Sequence, residues 1–119
     1  IFANERDNKN YDIFVGGWFS DYNDPLDFLN VMKTGVYDSY GLYSNSEYDS
    51  LIDSLTGEND NAKRLAIYQK LEDLLVAQDC GVAPLYYSDK HYYYQNWVKD
   101  FYTSSFGASQ ELYRTSVQK

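Results

Sequence analysis

Gly16-Gly17-Trp18-Phe19-Ser20-Asp21-Tyr22-Asn23-Asp24-Pro25, written GGWFSDYNDP, separates a strand-like run, YDIFV, from a helix-like run, LDFLNVM. A plain connector needs neither two glycines nor the adjacent bulky aromatics Trp18 and Phe19, and two carboxylates in one turn each call for a task. Asp24 has a local one. It precedes Pro25, and proline suits the first helical position because its missing N–H costs nothing there. Asp24 is therefore the expected N-cap, with Asp27 completing an acidic first turn. Asp21 is left with two readings. One is an Asx-turn or a solvated loop charge. The other is a buried acceptor for a cationic group, with Trp18 lowering the local dielectric and strengthening the pairing.

Working outward, residues 11–17 are expected to form a largely buried strand, ended by Gly16 and Gly17, which permit close approach of another backbone. After the turn, Phe28, Leu29 and Met32 are placed on one helical face, and Gly35 is the expected stop. Ser46-Glu47-Tyr48-Asp49 resembles a variant capping box for a helix over about 47–55, with Tyr48, Leu51, Ile52 and Leu55 at helical spacing. A third helix follows, capped by Asp60 and running to about Gln78. Leu65, Tyr68, Leu71 and Leu75 form its apolar stripe, widened by Ala62, Ile67 and Leu74. Lys63, Arg64, Gln69, Lys70, Glu72 and Asp73 mostly cover its wet side. Strands are expected over 82–87, entered through Pro84, and over 91–94 and 110–115, with 96–108 irregular. This order predicts an α/β chain of mixed α+β type, a small mixed sheet with about three helices packed on it. Strands without partners would leave exposed apolar edges.

The totals narrow the function classes. A chain of 119 residues predicts one domain. A net charge of -8 argues against nucleic acid as a partner, because phosphate binding needs clustered Lys and Arg. The aromatic content of 18%, with 14 tyrosines, fits a binding surface and a wide, half-wet sheet equally well. The single cysteine, Cys80, is expected to be a buried small hydrophobe. His91 is the only histidine. No Gly-x-Ser-x-Gly, Walker loop or His-Glu-x-x-His motif is present. Asp21, Asn23 and Asp24 do not continue into a calcium loop. A glycosidase pair would need Asp24, which the helix start already uses. The chain is accordingly expected to be no enzyme, with no catalytic residue, no metal site and no cofactor. No apolar run approaches the ~20 residues of a membrane helix. The opening IFANERDNKN has no initiator Met, and the chain is expected to be cut from a longer one.

The pieces YDIF-VGGW-FSDYNDP-LDFLN, YSNSEYDSLID, NAKRLAIYQKLEDLL and VAPLYYSDKHYYYQNWVKDF, in that order, resemble the C-terminal part of the oligopeptide-binding proteins. These are the extracytoplasmic solute receptors of peptide ABC importers, bacterial solute-binding family 5. The first piece is the most distinctive, and the likeness spans nearly the whole chain.

This resemblance implies a set of expectations. Residues 1–119 would be the C-terminal part of the second lobe of a two-lobed receptor with a periplasmic-binding-protein-like (type II) fold. The missing N-terminal lobe of the same chain and the membrane ABC permease subunits would be its partners. It would capture short peptides between the lobes, in the periplasm or at the cell surface as a lipid-anchored protein. The aspartate of the W-x-x-D-Y-N-x-P motif, here Asp21, would salt-bridge the peptide α-amino group, and Trp18 would wall a side-chain pocket. The backbone around Gly17 would pair with the extended peptide as an added strand. Phe19, Arg6, Tyr86 and Tyr87 are further candidates for ligand contact. Some relatives carry a cysteine where this chain has Phe19, so no disulfide is expected there. The alternatives are a family receptor for another ligand (a nickel complex, haem or a signalling peptide), an aromatic carbohydrate-binding module, and a hydrolase with an Asp pair.

Overall fold

A computed structural model describes residue 5 and residues 8–36, 42–104, 106 and 112–118. Arg6 and the beginning of the strand expected over 110–115 lie outside these residues. The chain divides into two compact units. One comprises Ile1–Trp18 with Asp24–Pro84, and the other comprises Phe19–Asn23 with Leu85–Lys119.

Three helices build the first unit among its described residues: α1 (Leu26–Asn30), α2 (Ser46–Ser54) and α3 (Asn61–Glu72). A π-helical segment, Asp73–Gln78, extends α3, so the helical path reaches the expected end at Gln78. Each start is fixed by a short polar side chain. Pro25 already has helical torsions, and Asp24 Oδ1 accepts from the Leu26 N–H at 2.9 Å, which makes Asp24 the cap. Asp60 Oδ1 accepts from Ala62 and Lys63 as expected. At α2 the cap is Asn45, one residue earlier than the capping-box reading. Its Oδ1 accepts from the Glu47 and Tyr48 N–H groups.

The core is helix on helix. Leu29 of α1, Tyr48 and Ile52 of α2, Leu55 just beyond it, and Tyr68, Leu71, Leu74 and Leu75 of the α3 path are all buried. Leu26, Met32, Leu51 and Ile67 pack against them. Two expected core positions face outward instead: Phe28 and Leu65 are 48% and 58% exposed. Leu26 and Leu29 share the inner face of α1 at a spacing of three, and Phe28 falls off it. Leu65 lies three residues before Tyr68, but at the level of Leu65 the inner edge of α3 is taken by Arg64. The last turn of α1 ends by Val31, earlier than Gly35, which instead makes a later turn with φ +77.

Tertiary polar contacts close the bundle. Tyr48 donates from its hydroxyl to the Leu29 carbonyl at 2.8 Å, and Asp49 accepts from the Thr34 N–H at 2.9 Å. Lys33 pairs with Asp53. Asp79, at the end of the π segment, accepts from Tyr43 at 2.8 Å and from the Asn45 side chain at 2.7 Å. Cys80 follows with φ +52 and is exposed, contrary to the expected burial. It occupies the left-handed position just past a helix end, outside the apolar stripe.

The expected strand over 11–17 is not formed. Ile13 and Val15 are 86% and 72% exposed. The Tyr11 and Phe14 rings meet with centroids 5.5 Å apart, which a regular strand forbids because residues three apart point to opposite faces. Residues 82–87 and 91–94 likewise carry no strand. Tyr86 and Tyr87 are 83% and 100% exposed. A strand is held by its partner's hydrogen bonds, and no described segment supplies them here. The exposed apolar side chains here belong to segments that form no strand, so they are not the sheet edges expected.

In the second unit, β1 (Val98–Lys99) pairs antiparallel with β2 (Ser116–Val117), Val98 opposite Val117. The Gln118 N–H donates to the Trp97 carbonyl at 2.9 Å and extends the ladder. Tyr92 and Tyr94 pack on Phe101, with centroids 5.9 and 5.0 Å away. The architecture is thus mixed α+β: three packed helices and a small sheet. No helix among the described residues is long and apolar enough to cross a membrane.

Candidate functional site

The GGWFSDYNDP turn is gripped immediately before and after its central five residues. Before them, Trp18 is half-buried and its Nε1–H donates to Asp27 Oδ2 at 3.2 Å. Asp27 is only 7% exposed. Its role is thus larger than an acidic first turn, since it orients the indole.

After them, Asp24 uses both carboxylate oxygens. Oδ1 accepts from the Leu26 N–H and from the Tyr68 hydroxyl at 2.6 Å, and Oδ2 accepts from Arg64 Nη2 at 2.6 Å. Arg64 also donates to the Tyr68 hydroxyl. Its Nη1 donates to the carbonyls of Leu55 and Glu58 at 3.3 and 3.1 Å. Burial alone would push the Asp24 carboxyl up. The Tyr68 hydroxyl, the Leu26 amide and the Arg64 guanidinium outweigh it and hold the group below its ordinary value. Tyr68 is pushed up to about 12, by burial first and then by the carboxylate it donates to. Asp24 is therefore an ionised structural anchor as well as a helix cap.

The glycines divide as well. A Cβ on Gly16 would meet the Phe14 ring at 2.2 Å, so packing explains that glycine. A Cβ on Gly17 would meet nothing within 4 Å, and Gly17 is exposed. Packing among the described residues gives no reason for glycine there.

Of the residues singled out in the sequence, Trp18 and Gly17 belong to the first unit, and Phe19, Asp21, Tyr86 and Tyr87 to the second. Asp21 is exposed rather than buried. The described residues alone therefore do not supply the low dielectric expected around it. Phe19 lies under Lys90, whose Nζ is 4.6 Å from the ring centroid. Sequence reasoning passed over Arg64, Tyr68 and Asp27. Arg64 and Tyr68 stand four apart on α3, which signals that they share a face, but nothing local pairs either with Asp24. No group of three or more His, Cys, Asp or Glu side chains suited to a metal occurs among the described residues.

Comparison with known proteins places this geometry. Over 97 residues the chain is 31% identical to the periplasmic oligopeptide-binding protein OppA of Escherichia coli (strain K12), covering 82% of this chain and 18% of that protein. The crystal structure of an oligopeptide ABC transporter substrate-binding domain from Bacillus anthracis str. Ames superposes with a TM-score of 0.87 at 28% identity, over 98% of this chain and 23% of that one.

The chain is homologous to part of the oligopeptide-binding proteins.

A second relative, the probable deoxycholate-binding periplasmic protein YgiS of Escherichia coli (strain K12), is 36% identical over 70 residues, 59% of this chain and 13% of that protein. The chain spans less than a fifth of the length of these curated relatives. No family model matches it. These relatives are named as binding proteins, and the substrate-binding-domain match agrees with the expected fold class.

Proposed function

We propose that this chain is the C-terminal part of the second lobe of an extracytoplasmic receptor that captures short peptides and delivers them to an ABC importer. It acts by binding and carries out no catalysis. The observation that carries the reading is the division of labour in the turn. Asp24 binds Arg64, Tyr68 and the helix start, and Trp18 is held by Asp27; Asp21, three residues before Asp24 in the same turn, lies at the solvent surface. Asp21 is then the acceptor for a peptide α-amino group, Trp18 a wall of a side-chain pocket, and Gly17 the point of main-chain pairing. Phe19, Tyr86, Tyr87 and Arg6 are secondary candidates. The desolvation that strengthens the ammonium–carboxylate bond comes from ligand and from the rest of the receptor closing over Asp21. The ligand-loaded form would dock on membrane permease subunits, on the outer side of the membrane.

The name of the YgiS relative favours a second reading, a receptor of the same family for a non-peptide ligand. Titration of the full-length receptor with matched free-amine and N-acetylated short peptides separates the two. Binding of the free-amine form alone supports peptide capture through Asp21. Equal binding of both keeps peptide and removes Asp21. Binding of neither, with binding of deoxycholate, establishes the second reading.

A further inference from the structure

The reading of Trp18 as a ligand contact leaves open what holds its indole in place. The Trp18 indole N–H donates to Asp27, on the first turn of α1. That turn is itself placed by Asp24, whose Oδ1 caps it and whose carbonyl accepts from the Asp27 N–H at 3.1 Å. Asp24 in turn is fixed from α3 by the Arg64 guanidinium and the Tyr68 hydroxyl, 40 and 44 residues further along the chain. Arg64 is oriented by two backbone carbonyls, that of Leu55, the C-cap of α2, and that of Glu58 in the loop after it. The planar guanidinium serves all these acceptors at once, which a lysine ammonium on its flexible stem does not.

Resting on the proposed peptide-receptor reading, we infer that Arg64 and Tyr68 are positioning residues for ligand binding, acting on Trp18 through Asp24, the first turn of α1 and Asp27. Neither needs to touch the ligand. Every link lies within one compact unit and connects groups 2.6–3.2 Å apart. A short helix such as α1 has little stability of its own, so its orientation follows its anchors.

The test is a double-mutant cycle on ligand affinity in the full-length receptor, combining Trp18→Phe with Tyr68→Phe and, separately, with Arg64→Met. Tyr68→Phe removes only the hydroxyl and keeps the buried ring, so it serves even where Arg64→Met fails to fold. Free-amine short peptides are the probe, measured well below each variant's unfolding temperature. Alongside, the Trp18 indole N–H resonance is followed by NMR, assigned by its loss in Trp18→Phe. The expected result is a shift of that resonance in Tyr68→Phe, and a fall in affinity of about tenfold that shrinks to nearly nothing in the Trp18→Phe background. An unmoved resonance, or the same loss of affinity with and without Trp18, overturns the inference. Failure of the proposed function shows differently, as a wild-type receptor that binds no peptide. In that case the indole resonance alone decides, and its failure to shift overturns the positioning role.

Discussion

Arg64 and Asp24 stand 40 residues apart in the chain and meet at 2.6 Å, the guanidinium on one carboxylate oxygen while the other oxygen caps α1 and takes the Tyr68 hydroxyl. Both side chains are largely covered, at 18% and 30% exposed. A single contact set thus ties the turn-bearing segment to the longest helix. It also gives Asp24, of the two aspartates in that turn, a structural task, while Asp21 is the one proposed to meet ligand.

Replacing Asp24 with Ala removes a helix cap, typically about 1 kcal/mol. It also removes bonds to a charged partner, typically about 1.5–3 kcal/mol. Urea denaturation of the full-length receptor should show a loss of that order. A change within about 0.5 kcal/mol, the range of ordinary surface substitutions, would contradict the anchoring role.

Asp21→Ala should do the reverse. Asp21 is exposed, so the unfolding midpoint should stay close to wild type. Affinity for free-amine peptides should fall by about tenfold or more, the worth of one charge-assisted hydrogen bond. N-acetylated peptides should be indifferent to the change. Isothermal titration with both peptide forms reads each outcome.

Gly17→Ala separates packing from ligand approach. The new methyl meets nothing within 4 Å among the described residues, so thermal stability should be unchanged. Peptide affinity should drop, because a methyl stands where a second backbone is proposed to lie. Gly16→Ala should instead disturb the chain itself by displacing the Phe14 ring. If Gly17→Ala binds peptide as well as wild type, main-chain pairing at this residue is wrong.

The unfolding temperature should fall at both ends of the pH scale. Asp24 is held below its ordinary value, so its stabilisation is complete above the usual carboxylate range and is lost as pH falls through the lower folded value. Tyr68 is raised to about 12, so its contribution is complete below the ordinary tyrosine value and is lost as pH rises through about 12. Tyr43 and Tyr48 are displaced in the same direction, chiefly by burial, then by Asp79 for Tyr43 and by Tyr43 for Tyr48. Tyr68→Phe should make both limbs shallower: the Tyr68 titration is gone from the alkaline side, and on the acid side Asp24 loses a donor, so its folded value moves back toward the ordinary one and the limb ends at higher pH. A melting curve against pH whose acid limb is the same in both proteins would refute the Asp24–Tyr68 coupling.

Leu71 is fully buried at the centre of the helix contacts. Leu71→Ala should cost about 2–5 kcal/mol, the transfer term plus the cavity left behind. Equilibrium denaturation of the receptor measures it, and a loss below about 1 kcal/mol would mean that the helices pack differently.

What the sequence determined by itself was local. Asp60 and Asp24 as caps, the Tyr68–Leu71–Leu75 stripe and the end of helix near Gln78 depend on residues a few positions apart, and short-range hydrogen bonds and helical periodicity specify them wherever the segment sits. The W-x-x-D-Y-N-x-P turn also carries the resemblance to the oligopeptide-binding proteins. Tertiary structure decided what depends on distant partners. YDIFV and VAPLYY have strand composition, yet a strand exists only where another strand answers its N–H and C=O groups, and no described residues do so. Arg64 belongs by pattern to the wet side of α3, and only the approach of Asp24 turns it inward as an anchor. Asp27 looks like a dipole charge at a helix start until Trp18, nine residues earlier, donates to it. Capping and periodicity are satisfied within one turn of chain, whereas pairing, burial and charge compensation are settled by what the fold brings alongside.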